Sequence, residues 1–516
     1  MTTSRRAVQV TVTAATVAAL AIGTGPALAG ASTGPSTTVR PYVLPVAAGV
    51  DITSLLTVGD QPTSDGYRMV GIPDGLGAYK RGGDLVVFEN QELVATDGFE
   101  RRHGQAGAFV SRFVIDRKTG EVKSGSDLIN PGVQYWNYPA GEYSLAPIAP
   151  PLAGPGHTLA FSRFCSGALT ERGQLRNGAN GYDGQIYFAN EESGDEGRVF
   201  GVTTEGQAYQ LPRLGLFQWE NTLAAENSSE TTLVMGNEDG GSGQLRAYVG
   251  TKQRSGSPVD KAGLTNGQLT VVNVPSARTA TSSQAYGKGV PRPFELATVE
   301  WNKNGRDQNT DAFDAGSTFN RIEDGHFDPN NPNDYYFFTT EGGDKTASPI
   351  EPSNSTRDGG GLWRLSFADI ERPRLGGTLT LLLDGTEDPF LNKPDNMAID
   401  RDGNLLIQED PGKNAHLARI LSYRIDDGAI GIVARFDPAR FGAGTPGSGF
   451  LTTDEESSGI IEISKGTFLF DAQVHQRRPL DPETLEEGQL LTMTVDDWDD
   501  VYGDDADDAA DEEDEG

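Results

Sequence analysis

Six short apolar runs in this chain each lead into carboxylates or their amides. Leu85-Val86-Val87-Phe88 leads to Glu89-Asn90-Gln91-Glu92, and Gln185-Ile186-Tyr187-Phe188 to Asn190-Glu191-Glu192. Thr232-Leu233-Val234-Met235 leads to Asn237-Glu238-Asp239, and Tyr335-Tyr336-Phe337-Phe338 to Thr340-Glu341. Asn404-Leu405-Leu406-Ile407 leads to Gln408-Glu409-Asp410, and Phe468-Leu469-Phe470 to Asp471-Ala472-Gln473-Val474-His475. A single run of this kind is a strand that ends in a water-facing turn. Six at one phase imply that the acids converge, and converging carboxylates need cations between them. Calcium takes roughly six to eight oxygens from carboxylates, amides and carbonyls. Acids interleaved with Asn and Gln are that ligand set. No continuous calcium loop is present: Asp400-Arg401-Asp402-Gly403 comes nearest, with its Gly misplaced. The expected sites are therefore discontinuous.

The single cysteine, Cys165, lies in Arg163-Phe164-Cys165-Ser166-Gly167. A lone thiol is an inert buried side chain, a nucleophile or a soft ligand for iron or zinc. The five histidines show no ligand spacing, but His475 follows a strand in phase with the acids. A phosphate loop of the GxxxxGK[ST] type is absent. The one G-x-S-x-G, Gly30-Ala31-Ser32-Thr33-Gly34, precedes any strand–helix elbow, which argues against a serine hydrolase.

The elements that must position these groups are short strands. Gly (65) and Pro (29) are abundant in the 516 residues, and long helical periodicity is nearly absent. The six units are unevenly spaced, which predicts a degenerate repeat with irregular insertions. The expected fold is all-β, a β-propeller of six blades, because radial sheets bring equivalent strand ends to one axis. Residues 1–29 read as a signal peptide of the twin-arginine kind, with Arg5-Arg6, an uncharged stretch and Ala27-Leu28-Ala29. Residues 30–45 read as a linker and 46–495 as the propeller. Residues 496–516 carry 13 acids and no base, and read as a disordered acidic tail. The net charge of −32 opposes binding to nucleic acid. No later stretch is apolar enough to span a membrane. The chain is expected to be an exported monomer, secreted or held in the cell envelope.

Several segments, taken in order, resemble the PhoX-type alkaline phosphatases. Glu89-Asn90-Gln91-Glu92-Leu93 is similar to the family's Asn-His-Glu segment, with Gln in place of His. Arg163-Phe164-Cys165-Ser166-Gly167 resembles the segment that holds its metal-binding Cys, and Asn190-Glu191-Glu192 the strand end that follows. Phe217-Gln218-Trp219-Glu220-Asn221 resembles the next acidic segment, and Arg321-Ile322-Glu323-Asp324-Gly325 is similar to Arg-Pro-Glu-Gly. Pro394-Asp395-Asn396-Met397-Ala398, running to Gln408-Glu409-Asp410, resembles the Pro-Asp-Asn segment. The resemblance spans about residues 65–475. Ala168-Leu169-Thr170-Glu171-Arg172 replaces the family's Thr-Pro-Trp-Gly-Thr, and no His stands beside Glu220.

The resemblance implies a six-bladed propeller with an iron–calcium cluster (Fe3+ and Ca2+) in its channel. It makes Cys165, Glu92, Glu220 and Glu323 candidate metal ligands, with Glu192 and Asp410 as further ones. Arg321 would hold the phosphate, with Asn396 as a second contact. If the segment is extended, Arg321 and Glu323 share a face. The implied activity is hydrolysis of small phosphate esters, chiefly monoesters. The alternatives are a calcium-binding propeller that acts as a non-catalytic envelope protein, and a calcium-dependent ester or lactone hydrolase.

Overall fold

Branched and aromatic side chains fill the strands quoted above and favour extended backbone. Asp334–Thr339, Asn404–Glu409 and Thr467–Val474 are buried along nearly their whole length, because a neighbouring sheet covers each face. The computed structural model describes residues 30–63, 66–148, 157–278, 280, 282–348, 356–445, 449–477 and 481–503. The expected signal peptide, residues 1–29, lies outside them.

The architecture is all-β and propeller-like. Four sheets of four or five strands and one of nine are arranged about one axis. Six inner strands line it: β1 (Pro73–Arg81), β2 (Phe164–Leu169), β3 (Trp219–Ala224), β4 (Ile322–Phe327), β5 (Pro394–Ile399) and β6 (Glu455–Ser464). Each packs on the next, and β6 returns to β1. The nine-stranded sheet has β3 and β4 at its two edges, and these edges pack on each other, so it nearly closes on itself. The last sheet joins both ends of the chain, since Val50–Thr57 pairs antiparallel with Glu487–Val495.

One local geometry recurs at all six inner strands. Each pairs antiparallel with the strand that follows it and carries a bulge, which lies at the start of the first five and further along β6. The first residue beyond the second strand then donates its N–H to the carbonyl just before the inner strand. These bonds are Glu92 to Ile72, Glu192 to Arg163, Asp239 to Gln218, Thr340 to Arg321, Asp410 to Lys393 and His475 to Asp454. Four of the acceptor residues are left-handed, with φ of 58° at Ile72, 49° at Arg163, 59° at Arg321 and 50° at Lys393. A residue with a Cβ there costs roughly 1–2 kcal/mol. Such strain gathers at functional sites.

Two boundaries differ from the sequence expectation. Residues 30–45 are part of the fold: Ala31–Thr33 lies parallel to Val50–Thr57, and Val43–Pro45 pairs with Ile430–Phe436. Ala31–Thr33 is a short edge strand of small residues held by backbone hydrogen bonds, and Val43–Pro45 is anchored by Tyr42 and Val43 in the core. The ordered body also extends past 495. Asp499–Tyr502 is helical, Val501 is buried, and Trp498 stacks edge-on against Phe468. Tyr502 Oη donates to Asn404 Oδ1 at 2.8 Å. Residues 504–516 of the expected tail lie outside the described residues.

Candidate metal centre

The second residue of every inner strand is of a type that binds metals: Asp74, Cys165, Glu220, Glu323, Asp395 and Glu456. Their ligand atoms meet. One atom each from Asp74, Glu92 and Cys165 lies within 4.8 Å of the others, and the same holds for Cys165, Glu192 and Glu220, and for Glu220, Glu323 and Asp395. The three groups share Cys165 and Glu220, so they form one continuous arc of ligands. Glu456 completes the ring electrostatically, acting on both Asp74 and Asp395. An outer tier comes from the ends of the second strands, where Glu92, Glu192, Asp239 and Asp410 are joined by Thr340 and His475 at equivalent places.

The ring holds more negative charge than the protein neutralises. Burial, followed by repulsion from Glu92 and Glu456, raises Asp74 well above the usual carboxylate range. Burial and then Glu323 do the same to Glu220, burial and then Asp239 to Glu323, and burial and then Glu323 to Asp395. Burial pushes Glu92 up to about 7 although Arg163 opposes it, and burial with Asp410 pushes Glu456 up to about 7. The Cys165 thiol is raised by burial and then by Asp74 and Glu220. Its Sγ donates to Glu220 Oε2 at 3.1 Å. Carboxylates raised by one another trade their protons for cations. Hard oxygen donors suit calcium, and a thiolate among carboxylates suits iron. The donor set therefore fits metal ions.

Two arginines stand at the rim in matching places, each two residues before a ring residue. Arg163 bridges Glu92 (2.7 Å) and Glu192, and its side chain is 44% exposed. Arg321 donates to both oxygens of Asp239 at 2.9 and 3.0 Å and lies 3.0 Å from Glu323, with 42% exposed. Both therefore present a guanidinium face to solvent above the ring. His475 lies between Glu486 (2.8 Å) and Glu456 (3.4 Å). Burial opposes its charge, but these two partners push it up to about 11.

The structure brings Cys165, Glu92, Glu192, Glu220 and Glu323 together. Asp410 is at the mouth but in none of the three groups; its Oδ1 accepts from the Gly412 amide at 2.8 Å. Asn396 lies one layer deeper than expected of a phosphate contact. Its amide donates to Ser166 Oγ at 2.7 Å and its oxygen accepts from Ser458 Oγ at 3.1 Å. With Asn221 and Asp324 it lines a cavity of about 330 Å³, and none of the six ring residues lines that cavity. Asp74, Asp395, Glu456 and Arg163 join the site beyond the residues that the sequence analysis names as candidates. A signal for two of them exists: Ile72-Pro73-Asp74 and Lys393-Pro394-Asp395 are one pattern at one phase. The apolar-run pattern points only to the ends of the second strands, whereas the inner-strand starts enter through the resemblance, which supplies Cys165, Glu220 and Glu323.

A family model described as alkaline phosphatase PhoX matches residues 166–436. No curated protein matches the chain. Among solved structures, Pseudomonas fluorescens PhoX, in complex with the transition-state analogue vanadate, is 13% identical. That match covers 88% of this chain and 97% of that one, with a TM-score of 0.61. The PQQ-bound aldose sugar dehydrogenase of Streptomyces coelicolor is 12% identical, with 87% and 100% covered and a TM-score of 0.32.

Proposed function

The chain belongs to the alkaline phosphatase PhoX family and is a phosphoric ester hydrolase; from that premise we propose that it cleaves phosphate monoesters outside the cytoplasm, at an iron–calcium cluster held by the axial ring. The observation that carries this reading is the ring itself, with a ligand-type residue at the second place of six successive inner strands, one of them Cys165. The same six strands support counting the nine-stranded sheet as two blades, and so six blades in all.

Cys165, Glu220 and Glu323, with Asp74, Glu92, Glu192 and Asp395, would hold the metals. Asp410 and Glu456 would add charge at the mouth. The bound ions would polarise phosphoryl oxygens and offset the charge that builds during in-line displacement. The protein's own part is positioning. Arg321 is held through Nε and Nη2 by Asp239 and Glu323, which leaves Nη1 fixed to donate to phosphate oxygens. Arg163 is a second such donor on the Cys165 side. Asn396 keeps Ser166 and Ser458 in place beneath the ring and acts as a positioning residue. The transition-state analogue vanadate in complex with the Pseudomonas protein supports phosphoryl-transfer chemistry. The twin-arginine pattern of residues 1–29 supports export, and among the described residues no helix is long and apolar enough to cross a membrane. We propose a monomer, since the ring is built within one chain.

The test is elemental analysis together with hydrolysis of an aryl phosphate at alkaline pH. Iron and calcium should co-purify. Arg321→Ala should lower the rate on the order of 10²–10³-fold with the metals retained. Glu323→Gln should lose metal and activity together. Turnover of diesters but not monoesters would correct the substrate, and metal-loaded protein inert toward both would end the proposal.

A further inference from the structure

A second set of buried oxygens lies between the first sheet and the last, beside the axial ring, which Gln473 reaches through Asp74. Val87, Glu89 and Gln91 share one face of the strand Asp84–Gln91, and Leu469, Asp471 and Gln473 share one face of Thr467–Val474. Val87 and Leu469 belong to the same apolar cluster between these sheets. The residues next in register on each strand therefore enter the same interface. Glu89, Gln91 and Asp471 are fully buried, and Gln473 is 1% exposed.

Five of their oxygens have no hydrogen-bond partner among the described residues: Glu89 Oε2, Gln91 Oε1, both carboxylate oxygens of Asp471, and Gln473 Oε1. The amide nitrogens are engaged, which orients both amides. Gln91 Nε2 donates to Glu89 Oε1 at 2.6 Å, and Gln473 Nε2 to Asp74 Oδ2 at 3.3 Å. No positive group acts on either carboxylate, and Glu89 and Asp74 both repel charge on Asp471. Burial of unpaired acceptors is costly, and burial of charge without a partner more so. The placement is particular to this interface. Two places before the strand end, where the first sheet has Glu89, the other repeats have Ala189, Gly236, Phe337, Ile407 and Ala472. Three places before it, where the last sheet has Asp471, they have Phe88, Phe188, Met235, Tyr336 and Leu406.

We propose that Glu89, Asp471 and the side-chain oxygens of Gln91 and Gln473 bind a separate cation of the calcium class between the first and last sheets. Carboxylate and amide oxygens are the donors such an ion takes, and water completes its shell. The last sheet also carries the strand Val50–Thr57, so the ion fastens the sheet that joins the chain ends to its neighbour. It serves closure of the fold and not the chemistry at the axis.

The test compares calcium content and melting temperature of the full chain, with and without a chelator. Glu89→Gln with Asp471→Asn should lose one calcium per chain, and the variant's melting temperature should respond less to chelation than that of the wild type. Glu323→Gln strips the axial ring and should keep that one calcium, which separates this site from the catalytic one. A double variant with the wild-type calcium content, melting at or above the wild type, would show that the two acids are protonated partners, and the proposal would fall. Should the variant not fold, a wild-type crystal grown with calcium decides. An ion between Glu89 and Asp471 supports the site, and a direct carboxyl–carboxyl hydrogen bond overturns it.

Discussion

Adjacent carboxylates end the second strand in three of the repeats, and the fold gives them opposite work. Glu191 meets the buried guanidinium of Arg198 at 2.6 Å, Glu238 meets Arg246 at 2.9 Å, and Glu409 meets Arg419 at 2.6 Å. The next residues, Glu192, Asp239 and Asp410, leave the sheet and reach the axial mouth. Successive side chains on a strand face opposite ways, so a step of one residue changes the environment completely. Each of the three strand-end acids Glu191, Glu238 and Glu409 has its own arginine. At the axis the acids outnumber the bases. Burial pushes Glu409 up, but Arg419 and His416 together hold the carboxyl below its usual range. Glu192 is instead raised by burial although Arg163 opposes that. Of the two acids at each of these strand ends, the one neutralised by an arginine holds the sheet, and its neighbour faces the candidate metal centre.

Substitutions one residue apart should break this contrast most sharply. Glu191→Gln leaves the buried Arg198 without its carboxylate and should cost about 3–5 kcal/mol in denaturant unfolding. Metal content of the folded fraction should not change. Glu192→Gln should do the reverse, with lower metal content and little lost stability. Equal stability losses in the two variants would refute the division.

Metal-stripped protein should show the next largest effect, as a function of pH. Glu92 and Glu456 have folded values of about 7, above their usual 4.5. Between those limits the folded state binds more protons than the unfolded state, so stability falls as pH rises through this window. The stripped protein should therefore melt higher near pH 5 than near pH 8. Added metal should remove that difference, since the ring then has no protons to lose. Thermal melts at the two pH values, with and without calcium and iron, check this.

Truncation separates the two parts of the acidic terminus. Removal of 504–516 should leave stability within about 0.5 kcal/mol. A chain that stops at Val495 also loses Val501, Trp498 and the Tyr502 bond to Asn404, and should lose about 2–4 kcal/mol. The smallest effect is expected at the exposed pair Arg172–Asp183, where Arg172→Ala should change stability by less than about 0.5 kcal/mol. That variant is the surface counterpart of the buried Arg198–Glu191 pair.

Much of this was legible in the sequence, for a local reason. Strand alternation and turn residues act over a few positions, so the six apolar runs and the all-β class could be read directly. Cys165, Glu92, Glu192, Glu220 and Glu323 could be named because their segments keep recognisable neighbours. Which of two adjacent acids serves the axis depends on bulges, left-handed residues such as Ile72 and Arg163, and a partner arginine seven to ten residues away in sequence. Asn396 illustrates the same limit: its segment was recognised, but the ring took Asp395 and sent the amide one layer down. Glu89 and Asp471 are some 380 residues apart in the chain and meet only because the last sheet closes against the first. The sequence alone determined the ligand types and the strands that carry them. The tertiary structure alone decided which ligands meet, because convergence on an axis is a property of the closed ring of sheets and not of any single strand.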